Sequence, residues 1–304
     1  MPTQAEIRQE ITHRILDAFL FGGIVPWKKP WRNDPNSGSP TNVVSKKRYS
    51  GVNPLLLDLV AMTHGYQSRW WGTFQQWKDL GANVKKRPAD VPAGRWGTQI
   101  VFWKQITKTK TAETDPDKTF PLLRYYTVFN VDQVEGEVVD RLRASNESPS
   151  SPLDADYQSA HEAIKATGAD IRHGGDRAYY VRPQGDFGDF ISIPNPSQFD
   201  SPHKYYSTMF HELAHWSECR VDWKGSYAMG ELVAEIAASF LCAHTNIPCA
   251  DGIDGHTSYL ASWLKEFEDD DRAIMQAASQ ASKAADFILD FSRKTEPAEL
   301  LTTA

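Results

Sequence analysis

Apolar side chains recur at helical spacing in residues 3–21, where Ile7, Ile11, Ile15, Leu16 and Phe19 fall on one side. That pattern stops at Gly22-Gly23, residues suited to a helix C-terminus. Residues 52–64 read as a second helix and 73–80 as a short third one closed by Gly81. The period then shortens. Residues 99–104 read as a strand, and residues 122–131 (Leu-Leu-Arg-Tyr-Tyr-Thr-Val-Phe-Asn-Val) carry the strongest strand signal in the chain. The polar, turn-rich residues 105–119 join them as a hairpin loop. A Ser/Pro-rich stretch over 141–153 separates this region from a helix at 154–167, closed by Gly168. Short strands are expected at 169–172, 178–182 and 189–193, the last forming a sheet edge on which an extended peptide can pair. Ser201-Pro202 then opens a helix with no further Pro or Gly before Gly225. Residues 231–243 are apolar nearly all round and so form a buried helix. Helices at 257–267 and 272–291 follow, the second with Ile274, Ala278, Ala281, Ala285 and Ile288 inward.

These elements define an α+β protein of two domains: a mixed α/β domain at 1–143, a linker at 144–153 and a second domain at 154–304. A chain of 304 residues is long enough for both to build cores. The formal net charge of −6 hides an asymmetry. Residues 1–143 carry 21 Lys and Arg against 14 Asp and Glu, a net of +7, while residues 144–304 carry 12 against 25, a net of −13. One half is built for a polyanion and the other for different work. Residues 1–25 lack a signal-peptide core, and no apolar run is long enough to span a membrane, so the expected location is the cytoplasm with no membrane partner. Cys219, Cys242 and Cys249 form no Cys-x-x-Cys pair and read as reduced thiols, with Cys219 expected to be buried rather than a ligand.

Aromatic and basic residues interleave in the first half. Trp27-Lys28-Lys29-Pro30-Trp31-Arg32, Lys46-Lys47-Arg48-Tyr49, Trp70-Trp71 and Lys85-Lys86-Arg87 are the candidate nucleic-acid contacts. Basic side chains track phosphates, and flat side chains stack on bases at about 1–3 kcal/mol each, which suits a single strand. Trp77, Trp96 and Trp103 are expected in the core.

The helix after Pro202 carries His211-Glu212-Leu-Ala-His215. Residues four apart on a helix differ by about 40° in azimuth and roughly 6 Å along the axis, so both imidazoles can converge on one divalent ion, most naturally zinc. Glu212 stands where a carboxylate can take a proton from water. Glu231 and Glu235 share a face of the buried helix and need a compensating positive charge. Glu235, 20 residues after His215, is assigned as the third ligand. Glu231 is then placed behind the ligands, bonded to an imidazole or to Tyr205 or Tyr206. The reverse assignment stays open, because sequence does not fix the helix rotation.

Val25-Pro-Trp27-Lys-Lys-Pro-Trp31, Tyr49-Ser-Gly-Val-Asn53, Trp71-Gly-Thr-Phe-Gln-Gln76, Tyr126-Thr-Val-Phe-Asn-Val-Asp-Gln133, Tyr205-Tyr206, Phe210-His-Glu-Leu-Ala-His-Trp216 and Glu231-Leu-Val-Ala-Glu-Ile-Ala-Ala238 together resemble the ArdC antirestriction proteins of conjugative plasmids, whose N-terminal region is shared with TraC-type plasmid primases. The resemblance implies an N-terminal domain that binds single-stranded DNA and a C-terminal zincin-like metallopeptidase domain. It also implies protection of incoming plasmid DNA from host restriction during conjugation. A protein substrate, such as a host restriction subunit, is left open. In one respect the chain departs from the gluzincin pattern: Ser239 stands four residues after Glu235, where an Asp would support an imidazole. The rival reading is a DNA-binding shield whose metal site is structural and not proteolytic.

Overall fold

The computed structural model describes residues 3–22, 38–66, 68–107, 119–144, 157–184, 187–223, 225–247 and 263–295, apart from 264, 268 and 271. Residues 145–153 of the expected linker, the 257–262 part of a predicted helix and the Trp27–Arg32 cluster therefore lie outside the described residues, while Ala144 ends a helix.

In the N-terminal half a four-stranded sheet runs in the order β1 (Thr41–Asn42), β2 (Trp70–Thr73), β5 (Thr119–Asn130), β4 (Thr98–Thr107). β4 and β5 form an antiparallel hairpin paired from Thr98↔Val128 to Thr107↔Thr119; residues 105–107 and 119, expected in the loop, are corrected to strand, because backbone pairing continues past the apolar run. Alternation along the hairpin sends Val101 and Leu123 into one core cluster and Ile100 and Val128 into another. Helices α1 (Gln4–Gly22) and α2 (Asn53–His64) pack here, and α3 (Phe74–Asp79) is opened by a Thr73/Gln76 capping box. Gly72 lets the chain close up: a Cβ there would lie 2.8 Å from Val43 Cγ1. A two-stranded ladder, β3 (Asn83–Val84) with β6 (Val134–Glu135), and helix α4 (Glu137–Ala144) complete this half.

The C-terminal half begins with α5 (Gln158–Ala166) and a three-stranded sheet, β7 (Ile171–His173), β8 (Tyr179–Val181) and β9 (Phe190–Ile193), in the order β7-β9-β8. The expectation that residues 189–193 form an edge is corrected: β9 is central, because β7 pairs with one side of it and β8 with the other. The edge strand beside the site is β8. Next come α6 (Pro202–Glu218), α7 (Tyr227–His244) and α8 (Ala273–Thr295).

α7 is apolar all round because it is covered on two sides. Leu232, Val233, Ile236 and Ala237 pack with Ile7, Ile11 and Ile15 of α1 and Leu55 and Leu56 of α2, together with Ile274, Ala278 and Ala281 of α8. Ala238, Leu241 and Cys242 pack instead with Met209, Phe210 and Leu213 of α6. The two domains thus share a hydrophobic cluster across α7.

Candidate metal centre

α6 presents His211 and His215 one turn apart with ring centroids 4.8 Å apart and their Nε2 atoms 3.1 Å apart. α7, returning beside α6, brings Glu231 up to both: Oε2 is 3.6 Å from His211 Nε2 and Oε1 is 3.5 Å from His215 Nε2. Donors held about 2.0–2.1 Å from a tetrahedral ion stand about 3.3 Å from one another. The three separations fall around that value, so His211, His215 and Glu231 fit a divalent cation.

This geometry corrects the assignment of Glu235 as ligand. Glu235 Oε1 lies 2.9 Å from Nδ1 of His211, behind the ring. Glu218 Oε1 lies 2.7 Å from Nδ1 of His215 in the same manner, and its other oxygen accepts from Arg182. Each imidazole thus has a carboxylate oxygen beside Nδ1, in hydrogen-bond geometry at His215 and at ion-pair distance at His211, with Nε2 turned to the cavity. The departure noted at Ser239 disappears with the exchange, since Glu235 itself stands four residues after Glu231. Sequence reasoning missed Glu218 altogether, although its position three residues after His215 puts it on the same helix face.

Tyr205, expected as a candidate partner of Glu231, is turned elsewhere, and Tyr206 packs edge-on beside it. Tyr205 Oη is 2.9 Å from His173 Nε2, and Tyr206 packs edge-on against Tyr157. The helix period explains this: six residues before His211 is a rotation of about 240°, which turns Tyr205 well away from the histidine face. Cys219, expected to be buried, is exposed at the end of α6.

The electrostatics are those of a cation site. Four carboxylates, Glu212, Glu218, Glu231 and Glu235, are buried around two half-buried imidazoles. Burial works against the imidazolium of His211, yet Glu231 and Glu235 outweigh it and raise its pKa. Burial likewise opposes charge on His215, where Glu218 and Glu231 prevail and raise the pKa. For Glu231, burial is overcome by the two imidazoles, which hold its carboxyl well below the usual range. Glu212 goes the other way: burial pushes its pKa up, against the pull of His211 and His215, and the Tyr180 backbone N–H donates to it. A cavity of about 550 Å³ lies in front, bordered by Tyr179, Tyr180 and Arg182 on the β8 side and by Trp223 and Tyr227 opposite.

This donor set belongs to the zincin-like metallopeptidases, and residues 158–280 match that family, while residues 5–129 match the N-terminal domain of anti-restriction factor ArdC. The chain belongs to the ArdC antirestriction family. It is 34% identical to the uncharacterized protein y4eC of Sinorhizobium fredii over 94% of its own length and 92% of that protein. Its identity to the DNA primase TraC of Escherichia coli is also 34%, but the match spans only 27% of that longer protein. Among solved structures, the metal-free antirestriction ArdC protein from plasmid R388 superposes with a TM-score of 0.74 at 33% identity, covering 96% of this chain and all of that one. The Mn(II)-bound structure of the same protein gives 0.71 at 32% identity, covering 95% and 99%.

The expected nucleic-acid contacts divide. Trp71 is corrected: it is 1% exposed and packed among Leu57, Ala61 and Val128, since alternation along β2 sends the two tryptophans to opposite faces, Trp70 going against the Val43/Trp77 cluster. Trp70 is half-buried, with Lys46 Nζ 4.4 Å and Arg69 Cζ 4.8 Å from its ring centroid. Lys46, Lys47, Lys85, Lys86 and Arg87 are exposed. Arg48 sits 3.4 Å from His244 Nε2, and Tyr49 Oη accepts from Asn42. Trp77 is fully buried as expected, and Trp96 is half-buried, its Nε1 donating to the Lys85 carbonyl. Among the described residues no helix is long and apolar enough to cross a membrane.

Proposed function

We propose that the chain protects incoming plasmid DNA from restriction in the cytoplasm of a recipient bacterium, binding single strands through its N-terminal half and hydrolysing a protein substrate through its C-terminal half. The observation that carries the peptidase part is the trio of donor atoms 3.1–3.6 Å apart with Glu212 beside them. His211, His215 and Glu231 hold the cation, zinc by the character of two imidazoles and one carboxylate, with manganese the alternative because the R388 relative was solved with Mn(II). When bound, such a cation supplies a Lewis acid that polarises a carbonyl and makes water more acidic. Glu212, its pKa raised by burial, accepts a proton from water entering the cavity and passes it to the leaving amine. The free edge of β8 pairs an extended peptide along the cavity. Glu235 and Glu218 keep both imidazoles aimed throughout.

Lys46, Lys47 and Trp70, with Lys85–Arg87 and the Trp27–Arg32 cluster, serve the strand. A second reading is favoured by α7, which carries Glu231 and also lies in the core shared with α1 and α2: cation binding then stabilises the whole fold, and protection needs no proteolysis. The test is a conjugative-transfer assay into a restricting host with three versions of the protein, alongside metal quantification. Loss of protection in Glu212→Gln with metal retained supports proteolysis. Full protection in Glu212→Gln, with loss in a Trp27→Ala/Trp31→Ala pair, supports the shield.

A further inference from the structure

A second cavity, of about 530 Å³, opens in the N-terminal half between α1, α2 and the 93–99 segment that leads into β4. Leu59 and Val60 give it an apolar wall, and His64, stacked on Tyr66 with ring centroids 5.5 Å apart, adds a flat one. Arg14 and Arg95 converge on the same space. Among the described residues Glu10 is the one carboxylate in the lining, 3.8 Å from Arg95, so there a single acid faces two guanidiniums. Burial, and after it the charge of Arg95, lowers the pKa of Arg14.

Arg95 is not left to wander. Its neighbour Trp96 is pinned twice, its Nε1 donating to the Lys85 carbonyl at 2.9 Å and its own carbonyl accepting from Gln133. The same loop carries exposed Lys85, Lys86 and Arg87 at its other end. The cavity is of small-molecule size, with one apolar side and one cationic side. Two guanidinium forks suit the geometry of a phosphate. A terminal phosphate offers three unesterified oxygens to the two forks, where an internal diester offers two.

We propose that this cavity binds a nucleotide bearing a terminal phosphate, with Arg14 and Arg95 on the phosphate and the Leu59/Val60/His64 wall against the base and sugar. The occupant is either a free mononucleotide or the end of a DNA strand. The inference deepens the single-strand reading without requiring it, since a free nucleotide meets the same groups.

The test uses the full-length chain. Calorimetry compares deoxyadenosine monophosphate with deoxyadenosine, and fluorescence anisotropy compares an oligothymidylate carrying a phosphate at one end with the same strand ending in a hydroxyl. The expected result is that the monophosphate binds at least about tenfold tighter than the nucleoside, and that Arg14→Gln and Arg95→Gln each remove about tenfold. Glu10→Gln, which deletes the competing carboxylate, should tighten binding; with exposed Arg95 it keeps the test intact where Arg14→Gln fails to fold. A phosphate-dependent gain for the oligonucleotide assigns the site to strand ends, and equal binding of the two strands assigns it to the free nucleotide. Binding of the monophosphate that is no tighter than that of the nucleoside, or is untouched by both arginine substitutions, overturns the proposal. Failure of both strands to bind, with the monophosphate still bound, sinks the single-strand reading and leaves this one standing.

Discussion

Glu235 stands directly behind His211, its Oε1 2.9 Å from Nδ1, so that the ring's Nε2 is the nitrogen left to face Glu231. A carboxylate in that place fixes the tautomer and the ring orientation without touching the ion. Glu235→Gln should therefore weaken metal binding by about 10–100-fold while keeping a stoichiometric site. Glu231→Ala, which deletes a donor, should abolish stoichiometric metal. Chelator competition ranks the two variants, and the opposite ranking would restore Glu235 as the ligand.

Glu218 does for His215 what Glu235 does for His211, and Arg182 ties that arrangement to the end of β8. Glu218→Gln should likewise lower metal affinity, by about tenfold or more. Arg182→Gln leaves the carboxylate in place and should disturb metal less, raising KM for a peptide more than it lowers kcat. A uniform fall in kcat with KM unchanged would detach the strand from this role.

Glu212→Gln preserves shape and the Tyr180 contact while removing the proton acceptor. Metal content should match wild type, and peptide hydrolysis should fall by about 10²–10⁴-fold. Elemental analysis paired with a peptide-library digest measures both. Retained cleavage would relieve Glu212 of its part.

How much of this was written in the chain depends on the length of the signal. The His211/His215 pair was legible because four residues on a helix fix both azimuth and rise. The two glutamates were legible as a pair, but their order was not. Each is one turn from the other on a helix that is apolar on every side, so no polar face marks its rotation. The same helix period, applied to Tyr205, would have turned it away from the site. The β4/β5 hairpin announced itself through residues 99–104 and 122–130, while its tip at 105–107 and 119 read as loop, and β3 and β6, two residues each, have no alternation to detect. Charge asymmetry distinguishes the halves in composition and gives no sign that they share apolar packing on α7.

His244, at the end of α7, bridges the halves through Arg48, whose guanidinium lies 3.4 Å from Nε2. Burial, and then the charges of Arg48 and Arg293, lowers its pKa to about 3. The folded value lies below the unfolded one of about 6.5, so the unfolded chain takes up the proton first. Stability owed to neutral His244 is complete above that unfolded value and is lost as pH falls from it towards the folded one. Urea midpoints at neutral and mildly acid pH should therefore drop more for wild type than for His244→Gln, the difference cancelling the opposite contributions of His211 and His215. Parallel drops in the two proteins would show that His244 titrates normally.

Trp70 and Trp71 are neighbours in the chain with opposite expected fates. Trp71 is 1% exposed, so Trp71→Ala should cost about 3–5 kcal/mol of stability through the cavity it leaves. Trp70 is half-buried beneath Lys46 and Arg69, where removing the ring takes away a stacking surface and the seat of two cations. Trp70→Ala should weaken binding of an oligothymidylate by about 1–3 kcal/mol and, since Trp70 also packs against the Val43/Trp77 cluster, lower the thermal midpoint less than Trp71→Ala does. Lys46→Gln should weaken it too and make it less dependent on salt, because one phosphate contact fewer releases one counterion fewer. Thermal melts and anisotropy titrations over a salt series separate the four quantities. A Trp70→Ala protein that binds like wild type, with an unchanged salt slope in Lys46→Gln, would remove this face from the DNA path and leave the work to the other basic clusters.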